Sequence, residues 1–226
     1  MSKMTSLTIT TAAFAGAISF SPLNAGAAPL GNMIHGKDAA QTVYISTAAN
    51  QLQDGAQQFV NDMGKNAIAF LGDPSLSQSQ KEAKFKTLLR NSFDLKTIGR
   101  FALGRYWRTA TPEQQKEYTR LFENMVVRVY AARFEEYDGQ TLDVSSFRKD
   151  GNKDTIVTSY IVPPAGGEKI QVDWRVRNKN GNYKIVDVVI EGVSMALTQR
   201  SDFSSVIQRG GGDMDALLTH LRSQQG

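Results

Sequence analysis

Residues 168–191 read EKIQVDWRVRNKNGNYKIVDVVIE. Ile170, Val172, Trp174 and Val176 fall on one side of this run, and Gln171, Asp173, Arg175 and Arg177 on the other. A period of two is the signature of a half-buried strand. Asn180-Gly181 then breaks the run before a second apolar stretch, and that dipeptide is a strong hairpin signal. Reading upstream, Pro163 to Gly167 and Lys149-Asp150-Gly151-Asn152 are two further turns. The spacing predicts four strands over 141–148, 154–162, 168–177 and 183–191. Connections this short join antiparallel neighbours, so the strands form a meander. One face of the sheet is apolar and needs a cover.

The cover comes from the first half of the chain, which reads as helical. Phe59, Met63, Ile68 and Leu71 mark a helix that ends at Gly72-Asp73-Pro74. Ser77 caps a second helix, carrying Phe85, Leu88, Leu89 and Phe93. Asp94 caps a short one running to Gly104. Thr111-Pro112-Glu113-Gln114 is a helix start with the cap, the proline and the reciprocal glutamine all in place. Tyr118, Leu121, Phe122, Met125, Val126, Val129 and Tyr130 follow as one continuous apolar stripe. This long amphipathic helix is the expected cover of the sheet. The fold class is therefore α+β, with helices packed on one face of a curved, roughly four-stranded antiparallel sheet.

Composition narrows the chemistry. The chain has 226 residues, 41% hydrophobic and 21% charged, which suits a folded globular protein and excludes wholesale disorder. There is no cysteine, so disulfides, thiolate nucleophiles and zinc–thiolate sites are excluded. His35 and His220 are the only histidines, too few for a multi-imidazole metal centre. No metal and no cofactor are expected. Beyond the N-terminal segment there is no apolar run of the ~18 residues that a membrane-crossing helix needs. A net charge of +4 is too weak to argue for nucleic acid, and none is expected as a partner.

Residues 1–27 read as a signal peptide. Lys3 is the basic start, Leu7 to Phe20 the apolar stretch, and Ala25-Gly26-Ala27 the small residues before the cut. Export takes the chain out of the cytoplasm, away from ready ATP and nicotinamide pools. Residues 28–54 carry no clear order signal, and 55–226 read as one domain.

Two motifs could carry chemistry. Gly192-Val193-Ser194-Met195-Ala196 follows a strand and precedes a helix, like a nucleophile elbow, with His220 downstream. That elbow belongs to parallel sheets, however, and here the strands are hairpin-linked. The bland alternative is a tight turn in which Ser194 caps the next helix. Segment 78–108 carries Lys81, Lys84, Lys86, Arg90, Lys96, Arg100, Arg105 and Arg108 against Glu82 and Asp94. Phe85, Phe93, Phe101, Tyr106 and Trp107 are interleaved. In an exported protein this fits a lipid headgroup or membrane surface. It fits equally a solvated helix face whose aromatics belong to the core.

Four patches resemble the MlaC family, also called the toluene-tolerance family, of periplasmic phospholipid-binding proteins. Phe93-Asp94 runs through Ile98-Gly99-Arg100 to Leu103-Gly104-Arg105-Tyr106-Trp107-Arg108. Thr111-Pro112-Glu113-Gln114 is followed by Tyr118 and Phe122, and then Tyr130-Ala131 leads to Phe134 and Tyr137. Asp187 runs through Glu191-Gly192-Val193-Ser194 to Arg200-Ser201-Asp202-Phe203. The position before Asp187, often aromatic in the family, is Val186, a departure that touches packing.

The resemblance implies a lipid carrier serving an ABC transport system, with an inner-membrane MlaD-like subunit and an outer-membrane MlaA-like protein as partners. It implies no enzymatic activity, a monomer, and an apolar cavity between helices and sheet that holds acyl tails. A branch of the family is associated with hopanoids, so another lipid remains open. The candidate lipid-binding residues are Phe122, Met125, Val126, Val129, Tyr130 and Phe134 from the long helix and its end. From the sheet they are Val172, Trp174, Val176, Val188 and Ile190. Each could equally be ordinary core.

Overall fold

A computed structural model describes residues 39–132 and 134–224. The expected targeting segment lies outside them. Helix α1 (Ala39–Leu71) is followed by α2 (Gln78–Ser92), α3 (Leu95–Leu103), a single turn α4 (Tyr106–Thr109) and α5 (Pro112–Ala131). A 3-10 turn at Phe134–Glu136 leads into β1 (Thr141–Asp150), β2 (Asp154–Val162), β3 (Ile170–Lys179) and β4 (Asn182–Ile190). A two-residue β5 (Val193–Ser194), α6 (Met195–Arg209) and α7 (Met214–Ser223) complete the chain. None of the described helices is long and apolar enough to cross a membrane.

The helix starts follow from local polar pairing. At Ser77, Gln80 N donates to the Oγ at 3.3 Å while the Gln80 side chain accepts the Ser77 N–H at 2.8 Å. Thr111 and Gln114 repeat the arrangement at 3.2 and 3.0 Å. Both satisfy amides that the first helical turn leaves without a partner. Asp94 Oδ1 accepts from Thr97 N at 2.9 Å, and α3 ends on Gly104 at φ +59°. Only glycine suits that spot twice over: the conformation is left-handed, and a Cβ would stand 2.9 Å from Arg200 Nε.

The five strands pair in sequence order, all antiparallel. Asn180 (φ 55°) and Gly181 (φ 84°) close the two-residue β3–β4 turn, with Lys179 opposite Asn182. Register shifts between Val144 and Ser146 and between Arg175 and Val176 bend the sheet, as bulges do. The fifth strand is too short to show in any periodicity.

Apolar packing divides into two clusters. One joins α3, α5, α6 and α7 around Tyr118, Leu121, Phe122, Phe203, Ile207 and Leu217. The other joins α1 to the sheet around Val60, Met63, Val157, Val176 and Ile185, with Leu88 and Phe93 against it. This revises one expectation. The α5 stripe does not lie on the sheet: its first turns are consumed by α3, α6 and α7, and α1 with the end of α2 covers the strands. Tyr118 anchors that helical cluster. Its hydroxyl donates to Gly99 O at 2.8 Å, and burial pushes its pKa up beyond any working range.

Candidate functional site

Between the two clusters lies a cavity of about 490 Å³, open to solvent. α1 contributes Met63, Gly64, Ala67 and Ile68; α2 contributes Phe85, Leu88 and Leu89. Phe93 comes from the C-cap of α2, Leu95 and Ile98 from the start of α3, and Phe122, Met125, Val126, Val129 and Tyr130 from α5. The sheet gives Thr141 and Leu142 of β1, Ile161 of β2, Val172 and Trp174 of β3, and Asp187, Val188 and Ile190 of β4. Tyr137, Gln140 and the first turns of α6 (Met195, Ala196, Thr198 and Gln199) complete it. Leu142 pairs with Ile161 and Val172 with Ile190, so these residues share one end of the sheet. Exposed lining residues gather there: Val129 at 47%, Tyr130 at 39%, and Thr141 and Thr198. That end is the mouth.

Of the sequence-predicted site residues, Phe122, Met125, Val126, Val129, Tyr130, Val172, Trp174, Val188 and Ile190 line the cavity. Phe134 does not: it is buried edge-on against Phe85 (5.1 Å) and Phe70 (6.5 Å). Val176 does not either, because it is sealed at 1% exposure in the sheet core. Sequence reasoning missed the walls built by α1, α2 and α3. One signal for α1 was present: Gly64 and Ala67 are small, and a Cβ at Gly64 would meet Leu142 Cδ2 at 2.5 Å. The glycine lets helix and strand approach closely beside the cavity.

Among the described residues Asp187 is the one charged side chain of the lining. Its Oδ1 accepts from Val188 N at 2.9 Å and Ala196 N at 3.1 Å, and its Oδ2 accepts from the Ser194 hydroxyl at 2.7 Å. Ser194 Oγ in turn accepts from Leu197 N at 3.1 Å. The carboxylate therefore pins the start of α6 to β4. His220 is not brought to this serine. It sits exposed on α7 with Nε2 2.9 Å from Gln224 Nε2. Ser194→Ala is thus expected to cost about 1–2 kcal/mol of stability through the lost cap, with lipid transfer retained. Abolished transfer at an unchanged melting temperature would restore the nucleophile reading. Among the described residues no cluster of acids and histidines could hold a metal ion.

The basic segment is dispersed. Lys81 Nζ caps Leu71 O at 2.7 Å, and Arg90 pairs with Glu123 at 2.7 Å. Arg100 lies over Trp107 at 5.8 Å and Arg105 over Tyr106 at 4.9 Å. The interleaved aromatics serve as platforms for guanidinium groups and as core.

A family model described as MlaC protein matches residues 61–223. The chain is 24% identical over 178 residues to the intermembrane phospholipid transport system binding protein MlaC of Haemophilus influenzae, covering 76% of this chain and 78% of that protein. It is 28% identical over 114 residues to the toluene tolerance protein ttg2D of Pseudomonas putida, covering 50% and 53%. A phospholipid-binding protein from Ralstonia solanacearum, solved in complex with a phospholipid, superposes with a TM-score of 0.65 at 28% identity. That match covers 75% of this chain and 96% of the other. The family match takes in the cavity and both apolar clusters from Asn61 onward, and the chain belongs to the MlaC family.

Proposed function

We propose that this protein binds a phospholipid with its acyl chains in the cavity and carries it across the periplasm between the outer and inner membranes. It acts as the soluble component of an ABC lipid transport system. The observation that carries the reading is the cavity itself: apolar on nearly all sides, open at one end, in a chain similar to a protein solved with phospholipid bound. An unfilled apolar space costs dispersion contacts, so a cavity kept this large is best explained by an apolar occupant.

The physical task is clear. Two acyl chains hold about 30 methylene groups, each costing ~0.8 kcal/mol to expose, a barrier of over ~20 kcal/mol. A cavity in the range of roughly 300–1,000 Å³ shields such chains from water. The chemistry asked of the chain is exclusion of water, with no bond made or broken, which fits relatives named for binding and transport. An MlaD-like subunit and an MlaA-like protein are the proposed partners that receive and supply the lipid, and the carrier works as a monomer.

The test is extraction of the full-length protein, purified without detergent, into organic solvent, followed by mass spectrometry. Near-stoichiometric phospholipid is expected. Absence of any lipid would overturn the reading, and a hopanoid in its place would change the cargo while keeping the carrier.

A further inference from the structure

The cavity reaches deepest along β3 and β4: on β1 and β2 it stops at Leu142 and Ile161, in register with Ile170, whereas on the other two strands it runs on to Trp174 and its partner Val188. On β3, Val172 and Trp174 line it, and Val176, the next residue on that face, is sealed. On β4, Ile190 and Val188 line it, while Ile185 beyond is fully buried. On β1, Leu142 lines it and Val144 packs into the sheet core. On α1, Met63 lines it and Val60, one turn earlier, is fully buried. Trp174 is the bulkiest side chain at this boundary. It stands between Val157 and Val188 on the neighbouring strands, in the middle of the sheet.

The indole is not free to swing. Its Nε1–H donates to Ser159 Oγ at 2.8 Å. Ser159 is itself fully buried and donates to Val172 O at 3.1 Å. Turning the ring away would leave the buried Ser159 Oγ without its donor, which the interior resists. A large, half-buried ring tied by its hydrogen bond to a fully buried serine at the deep end of an apolar space acts as a stop.

We propose that Trp174 is the floor of the acyl-chain cavity and selects the length of chain the protein accepts, with Ser159 as the residue that positions the indole. This rests on the carrier reading above. A chain longer than the depth from mouth to Trp174 leaves methylenes outside, in water. Each methylene that finds room instead is worth ~0.8 kcal/mol, or a roughly fourfold change in relative occupancy.

The experiment offers delipidated wild type, Trp174→Val and Trp174→Phe an equimolar mixture of dimyristoyl-, dipalmitoyl- and distearoyl-phosphatidylglycerol in dioleoylphosphatidylcholine vesicles. Bound phosphatidylglycerols are then counted by mass spectrometry. In Trp174→Val the distearoyl-to-dimyristoyl ratio is expected to rise at least ~fourfold over wild type. Trp174→Phe keeps a ring but loses the Nε1–H donor, and is expected to move the ratio the same way by less. The ratio reports the floor, whereas general damage lowers all three lipids together. Wild-type ratios in both variants would overturn the assignment and place the floor elsewhere. Failure of the wild type to take up any phospholipid from the vesicles, phosphatidylcholine included, would overturn the phospholipid reading on which the floor rests.

Discussion

Val126→Asp is expected to empty the cavity while leaving the chain folded. Val126 lines the cavity from α5 and is only partly buried, so in the lipid-free protein the new carboxylate is reached by water. Valine and aspartate have similar intrinsic helix propensities, so the helix itself loses little. Placing an acyl chain against the carboxylate is another matter. The ionised group must be dehydrated with no partner, and the effective penalty in proteins is several kcal/mol. Even ~3 kcal/mol lowers affinity roughly 100-fold. The checks are lipid per protein by mass spectrometry and the melting temperature of the delipidated variant. The sign with pH is definite: an apolar neighbour favours the neutral acid, so occupancy should recover as pH falls. Wild type has no such dependence at this position. Retained lipid at neutral pH would remove Val126 from the wall.

Element types were legible because their signals are local. The capping pairs Ser77–Gln80 and Thr111–Gln114 and the turn Asn180-Gly181 act within a few residues, and each stands where sequence places it. What covers what was not legible. The α5 stripe is uniform in sequence, yet Tyr118 and Leu121 are buried among helices while Val129 opens to solvent at the mouth. Trp174 and Val176 lie two residues apart on one face of β3, one on the cavity and one in the core. Cavity wall and core use the same side chains, and only depth along the sheet separates them. Asp187 was legible as part of a family patch but not as part of the wall, for the opposite reason. Its place on the wall depends on the Ala196 amide of α6, which returns to it from nine residues away.

Leu217→Ala is expected to do the reverse of Val126→Asp, lowering stability without touching lipid affinity. Leu217 is fully buried in the cluster that joins α5, α6 and α7, and it does not line the cavity. Truncating a leucine there leaves a void, at a cost of about 2–5 kcal/mol. At roughly 2–4 °C per kcal/mol for a chain of this size, the melting temperature should fall by roughly 4–20 °C. The folded fraction still presents the same cavity. A ligand that binds only the folded state stabilises by an amount set by its concentration and its dissociation constant. Saturating lipid should therefore add the same free-energy increment to wild type and Leu217→Ala, measured by calorimetry on delipidated and reloaded protein. Phe122 and Met125 belong both to this cluster and to the cavity wall, and they are the route by which the two regions would communicate. A smaller lipid increment in Leu217→Ala would mean that the void propagates through them. Equal increments would establish that the helical cluster carries stability while the space beside it is reserved for the cargo.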